Sequence, residues 1–219
     1  MRDIIATPQG LSIVSVNSQR TKLTQSGLTD SGMLCGQHEQ ATQRFDKYGI
    51  EFCRAFHRTA EITKSGRGFI VPNPKPNMLA NFVYACVWRY VMSTHGAEDG
   101  LKLGRYGAIL RGCLFDGDDC VLPVIVGMSH LRDEHGEPQP LCIPPFYSRA
   151  APANRWVFTV GYLDFMVFCD NRPIAHKLAG GLANRDNPLL CGKTDGQLFT
   201  ESHVLKPLIR QIAKQQRPR

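Results

Sequence analysis

The chain contains no uninterrupted apolar run of the roughly 18 residues that a membrane-spanning helix needs. Its first residues, MRDIIATPQGLSIVSV, are not expected to act as an export signal either. Asp3 stands beside Arg2, and Thr7, Pro8, Gln9 and Gly10 break up the apolar residues. No Cys-x-x-Cys pair occurs among the eight cysteines, which are scattered at positions 35, 53, 86, 113, 120, 142, 169 and 191, mostly inside apolar runs. Reduced thiols in a soluble, cytoplasmic protein are the expectation. There is no Gly-x-Ser-x-Gly nucleophile turn, and no Gly-x-Gly-x-x-Gly follows a strand pattern, so the hydrolase and dinucleotide-binding signatures are missing. The run Asn187–Thr194 ends like a phosphate-binding loop. It opens on Asn187 where that loop needs Gly, and Asp195-Gly196 follows where a helix should start.

What is present is a 219-residue chain, 42% hydrophobic, with a net charge of +7 and a pI near 9.1. That composition supports a core, and the charge favours anionic partners such as nucleic acid, phosphates or acidic proteins. The patterning predicts a single α+β domain over 1–219. Residues 30–115 are helix-rich, 120–200 strand-rich, and 201–219 form a basic carboxy-terminal helix. An N-terminal helical layer should pack on a mostly antiparallel C-terminal sheet.

Leu34, Ala41, Phe45, Tyr48, Phe52 and Phe56 recur at steps of three, four and seven, which predicts one helix from Leu34 to Arg58. Asp30 and Ser31 could cap it, and Gly49 weakens it by about 1 kcal/mol relative to Ala. A second helix is expected to start at an Asn77 cap, to bury Leu79, Phe82, Val83, Cys86, Val87, Tyr90 and Val91, and to stop at Gly96, with His95 near its end. Arg89 in its middle needs a partner, and the first helix offers Asp46 and Glu51. A third helix is read over Leu103–Leu114, closed by the acidic turn Asp116-Gly117-Asp118-Asp119. Strands are read at Leu11–Val16, Val121–Met128, Leu141–Tyr147, Trp156–Val160 and Leu163–Cys169. The last two make a hairpin around Gly161-Tyr162. Pro144 and Pro145 suggest that Leu141–Tyr147 is an edge strand. Ser18–Thr29 reads as an exposed polar loop, and Thr59–Asn77 as an extended connector.

Cys35 and His38 lie one helical turn apart, a spacing that suits two ligands of one zinc ion. Cys53 and His57 have a similar relation. A rise of about 1.5 Å per residue puts Cys35 and His57 about 33 Å apart on a single helix, so the four would join only if the chain reversed near Gly49. The narrower reading leaves Cys35 and His38 as half a zinc site, set against a buried thiol and a surface histidine. Basic groups form two clusters. Lys64 and Arg67 flank a Gly-rich loop. Arg210 and Lys214, one turn apart, with Arg217 beyond, would put a basic stripe on the last helix for nucleic acid or an acidic protein to meet.

The stretches SGMLCGQHEQATQRFDKYGIEF, NFVYACVWRYVMS and LKLGRYGAILRGCL resemble a set of small bacterial and phage-associated proteins. Their pattern is a Cys-x-x-Cys-Glu turn, a helix with an acidic-x-Tyr step, then a Trp-Arg pair and a Leu-Gly step. The similarity covers Gly32 to Leu114. Some members are zinc-finger-like or HNH-nuclease-like at their amino termini, with an earlier Cys-x-x-Cys pair. Here Cys35 and Glu39 match, His38 replaces the second cysteine, and no Cys or His precedes Cys35. Three functions follow as expectations. The first is a non-enzymatic binding protein, phage- or mobile-element-associated, that contacts nucleic acid or an anionic partner. The second is a metal-dependent HNH-like nuclease, or a degenerate relative, drawing on Cys35, His38, His130 and His135. The third is an inhibitor or toxin-like protein acting by protein contact.

Overall fold

The computed structural model describes residues 11–15, 20–24, 33–59, 61–62, 68–71, 74–119, 122–128, 141–149, 154–170 and 189–193. The apolar stripe from Leu34 forms one helix, α1 (Gly36–Thr59), which runs unbroken through Gly49. Phe45, Phe52 and Phe56 are buried along it, and Tyr48 packs against the core edge. The first intrahelical bond runs from the Glu39 N–H to the Cys35 carbonyl, so Cys35 holds the cap position. Asp30 and Ser31 lie outside the described residues.

The second helix, α2 (Pro76–Met92), is the most deeply buried of the helices, with Leu79, Ala80, Phe82, Val83, Tyr84, Ala85, Val87 and Val91 all inside. It starts differently from the expectation. Lys75, with no side-chain cap, holds the N-cap position, and Asn77 lies inside the first turn. Pro76 supplies a fixed φ where no backbone donor is needed, and the Lys75 N–H donates to the Tyr48 hydroxyl of α1 at 2.8 Å. Its end differs too. Ser93 closes α2 and caps the short α3 (Thr94–Glu98), its Oγ accepting from the Gly96 N–H at 3.2 Å. Gly96 is buried inside that turn, where a Cβ would meet Val91 Cα at 2.7 Å. His95 thus belongs to α3, 3.9 Å from Glu98.

The third helical stripe is also corrected. Leu103 is buried ahead of α4 (Tyr106–Arg111), which passes into a π-helical turn (Gly112–Asp116) ended by Gly117 at φ 81°. That left-handed stop suits a residue without a Cβ.

The described strands are β1 (Leu11–Ser15), β2 (Arg20–Thr24), β3 (Glu61–Ile62), β4 (Gly68–Val71), β5 (Val124–Met128), β6 (Leu141–Ser148), β7 (Arg155–Gly161), β8 (Leu163–Phe168) and β9 (Leu189–Lys193). They form one sheet in the order β2-β1-β6-β7-β8-β5-β9-β4-β3. Its centre, β6-β7-β8-β5, is antiparallel throughout. Helices in the N-terminal part and an antiparallel sheet after them make the expected α+β layout. The β7–β8 hairpin turns at Gly161-Tyr162, with Gly161 at φ 62°.

Three sequence readings change here. The polar stretch after Ser18 contains β2, paired antiparallel with β1. Two short strands, β3 and β4, occupy part of the connector before α2. And β6 is not an edge, for it lies between β1 and β7. Its register to β7 slips between Ile143 and Phe146, so Pro144 and Pro145 occupy a bulge where ladder donors are not required. The Asn187–Thr194 run holds strand β9, parallel to β5. The thiol expectation changes at one position: Cys113 is disulfide-bonded, while Cys35, Cys53, Cys86, Cys142 and Cys169 are free. Among the described residues no helix is long and apolar enough to cross a membrane.

The helices cover one face of the sheet through Trp156, Phe158 and Val160 of β7, Leu163, Phe165 and Val167 of β8, and Val124 and Val126 of β5. Phe82 of α2 is the contact that joins the layers. It meets Phe165 edge-on at 5.6 Å and Phe158 at 6.2 Å, and those two rings stack at 5.0 Å. On its other side the Phe82 ring lies on Gly49 of α1, where an added Cβ would fall 2.6 Å from Cδ1. Gly49 is thus the point where α1 and α2 approach, and its low helix propensity is offset by that packing. In an open helix a Gly-to-Ala change stabilises by about 1 kcal/mol. Here Gly49→Ala will instead destabilise by about 1–3 kcal/mol through overpacking. The urea-unfolding midpoint reads this directly, and a rise in that midpoint would refute the close-approach argument.

Candidate functional site

Cys35 and His38 are the only sequence-designated site residues among the described ones, and the structure brings them together. As cap and third residue of α1 they face each other, with Sγ and Nδ1 3.1 Å apart. Cys35 is exposed and His38 half-buried. The His38 ring is also held from outside its helix. Phe115, on the π-helical turn, meets it edge-on at 4.6 Å, and Trp88 of α2 meets Phe115 edge-on at 5.3 Å. Thr42, fully buried, donates its hydroxyl to the carbonyls of His38 and Glu39 and secures the first turn. A thiol, an imidazole and the free N–H groups of a 24-residue helix therefore converge at one exposed point. The helix dipole favours negative charge there.

A tetrahedral zinc with bonds of about 2.3 Å to sulfur and 2.0 Å to nitrogen would set these atoms about 3.5 Å apart, close to the spacing found. Two donors are half of such a site. Among the described residues no group of three or more His, Cys, Asp or Glu could hold a metal ion. Cys53 cannot complete it, because continuity through Gly49 carries that residue about 27 Å down the axis. Lys64, Arg67, His130, His135, Arg210, Lys214 and Arg217 lie outside the described residues.

Sequence reasoning identified the pair but missed Phe115. A residue is added to the turn at Gly112–Asp116, so Phe115 falls off the spacing that the stripe from Leu103 follows. The acidic turn after it is tied down internally. Asp116 accepts from Arg111 at 2.9 Å, and the Asp118 carboxylate lies against Gly112.

The anticipated Arg89 partner is Asp46. The guanidinium donates twice to that carboxylate, from Nη1 to Oδ2 at 2.7 Å and from Nη2 to Oδ1, and its Nε donates to the Ala85 carbonyl at 3.2 Å. Burial alone would lower the Arg89 pKa. The Asp46 bonds and charge outweigh it and leave the group above its usual value. Cys86 lies beside this pair, and burial pushes its thiol up to about 12 against the opposing pull of Arg89. Burial likewise pushes Cys53 and Cys169 up to about 12 and Cys142 up to about 11.

No protein-family model, no curated protein and no solved structure matches this chain.

These thiols make stability pH-dependent. Each has a folded pKa above its unfolded value of 9.0, so the stability it contributes is whole below pH 9.0 and is lost as pH rises toward 12. The unfolding free energy from urea titration should fall between about pH 8.5 and about pH 10.5, by an amount on the order of 1 kcal/mol per pH unit for each fully buried thiol. In Cys53→Ala the fall should be shallower. Equal slopes in the two proteins would show that Cys53 is not protected from ionisation.

Proposed function

We propose that this chain is a non-enzymatic binding protein that contacts nucleic acid through its basic carboxy-terminal segment, Arg210, Lys214 and Arg217, assisted by Lys64 and Arg67. The observation that carries this reading is how the charge is divided. Residues 74–119, which build most of the helical layer, are balanced, with Lys75, Arg89, Lys102, Arg105 and Arg111 against Glu98, Asp99, Asp116, Asp118 and Asp119. Residues 172–219 hold nine Lys or Arg against three Asp or Glu, a net +6 of the chain's +7. Charge needed only for solubility has no reason to collect in one segment. Charge that neutralises a phosphate backbone does, because each neutralised phosphate releases counterions and adds to affinity. Arg217 and Arg219 extend the cationic run past the helical spacing of Arg210 and Lys214.

Fluorescence anisotropy with a labelled duplex of about 20 base pairs tests this across a salt titration. The wild-type chain should bind with an affinity that falls steeply with salt. Changing Arg210, Lys214 and Arg217 together to Gln should flatten the log–log slope by about 2–3, near 0.9 for each phosphate contact removed. Equal slopes and affinities in the two proteins would remove the segment from nucleic-acid contact. Loss of duplex binding with retained binding to an acidic protein would reassign the partner.

A further inference from the structure

We propose that Cys35 is a nucleophilic thiol that exchanges with disulfides, with His38 as its proton acceptor, so that the head of α1 is a site of reversible mixed-disulfide formation. This goes beyond the binding function and does not rest on it.

Four observations converge. Of the free thiols Cys35, Cys53, Cys86, Cys142 and Cys169, Cys35 is the exposed one. An imidazole nitrogen lies 3.1 Å from its sulfur, within reach for direct proton transfer. That imidazole is oriented from another element, because Phe115 on the π-helical turn packs its edge and is itself braced by Trp88. Finally, the sulfur stands at the head of a 24-residue helix whose first N–H groups have no intrahelical acceptors. The other described free thiols contrast with it. Cys53 and Cys169 are buried, Cys86 and Cys142 are partly so, and burial holds all four in the neutral form at ordinary pH.

The step balances without any further reagent. The Cys35 S–H proton passes to His38 Nδ1. The thiolate attacks one sulfur of a small disulfide R–S–S–R: the bond between Cys35 Sγ and that sulfur forms, the S–S bond of the disulfide breaks, and the other half leaves as the thiolate R–S⁻. That leaving group takes the proton from the imidazolium and departs as R–S–H. Cys35 is oxidised and half of the disulfide is reduced. A second small thiol reverses the reaction.

The test uses 2,2′-dithiodipyridine, a neutral disulfide, on the folded full chain in the presence of a chelator. Thiopyridone release is followed by absorbance, and the modified peptide is located by mass spectrometry. One thiol per chain should react at least about 10-fold faster than the rest, and the label should map to Cys35. Cys35→Ser should abolish the fast phase. His38→Asn should slow it by about 10-fold or more without shifting the thermal midpoint. Phe115→Leu, which frees the ring but keeps the imidazole, should give an intermediate rate. A fast phase that persists in Cys35→Ser, or one that is unchanged in His38→Asn, would overturn the proposal. So would a Cys35 that reacts no faster than free glutathione in the same buffer.

Discussion

The fold depends on where the Phe82 ring can lie. It is fully buried between Gly49 of α1 and the stacked pair Phe158–Phe165 on the sheet, so one side chain sets both the helix–helix and the helix–sheet distance. An aromatic ring here contributes twice, through the apolar area it hides and through edge-to-face contacts that a Leu could not make. The arrangement requires a residue without a side chain opposite it. At the rim of the same helix pair, Arg89 grips Asp46 with two hydrogen bonds. Such a pair adds less to stability than to register, because desolvation offsets much of the attraction. The ring fixes how close α1 and α2 come, and the ion pair fixes how they are aligned along their length.

That division explains which parts of the fold the sequence reveals. Steps of three and four among Phe45, Tyr48, Phe52 and Phe56 mark α1 because a long helix leaves the same stripe whatever it packs on. Two β-rich runs and the Gly161-Tyr162 turn between them mark the β7–β8 hairpin for the same local reason. Arg89 and Asp46 were legible as partners because a buried guanidinium demands an acid, and the supply on the facing helix was short. Where tertiary contact overrides local preference, the reading fails. Asn77 is a better cap than Lys75 by propensity, yet the Lys75 N–H has the Tyr48 hydroxyl and Pro76 follows it. Pro144 and Pro145 point to an edge by the usual rule, but a bulge removes the ladder positions they could not fill, so β6 lies inside the sheet. Gly49 looks like a local weakness and is a contact surface.

The candidate site shows the same split on a smaller scale. One-turn spacing suffices to place Cys35 beside His38, and that much was readable. What holds the imidazole was not, since Phe115 reaches it only through a turn with one residue too many. That extra residue weakens the local helix geometry, and its cost is kept small by Gly117, which takes the left-handed backbone a side chain would resist. The return is a continuous aromatic row, from Trp88, packed against the core, through Phe115 to the half-buried His38. Rigidity is thereby carried from the packed centre of α2 out to the exposed head of α1. A histidine placed by its helix alone would sample several rotamers and meet the Cys35 sulfur only part of the time. Braced by Phe115, it is held where the thiol is, and an exposed Cys–His pair acquires the fixed geometry that proton transfer needs.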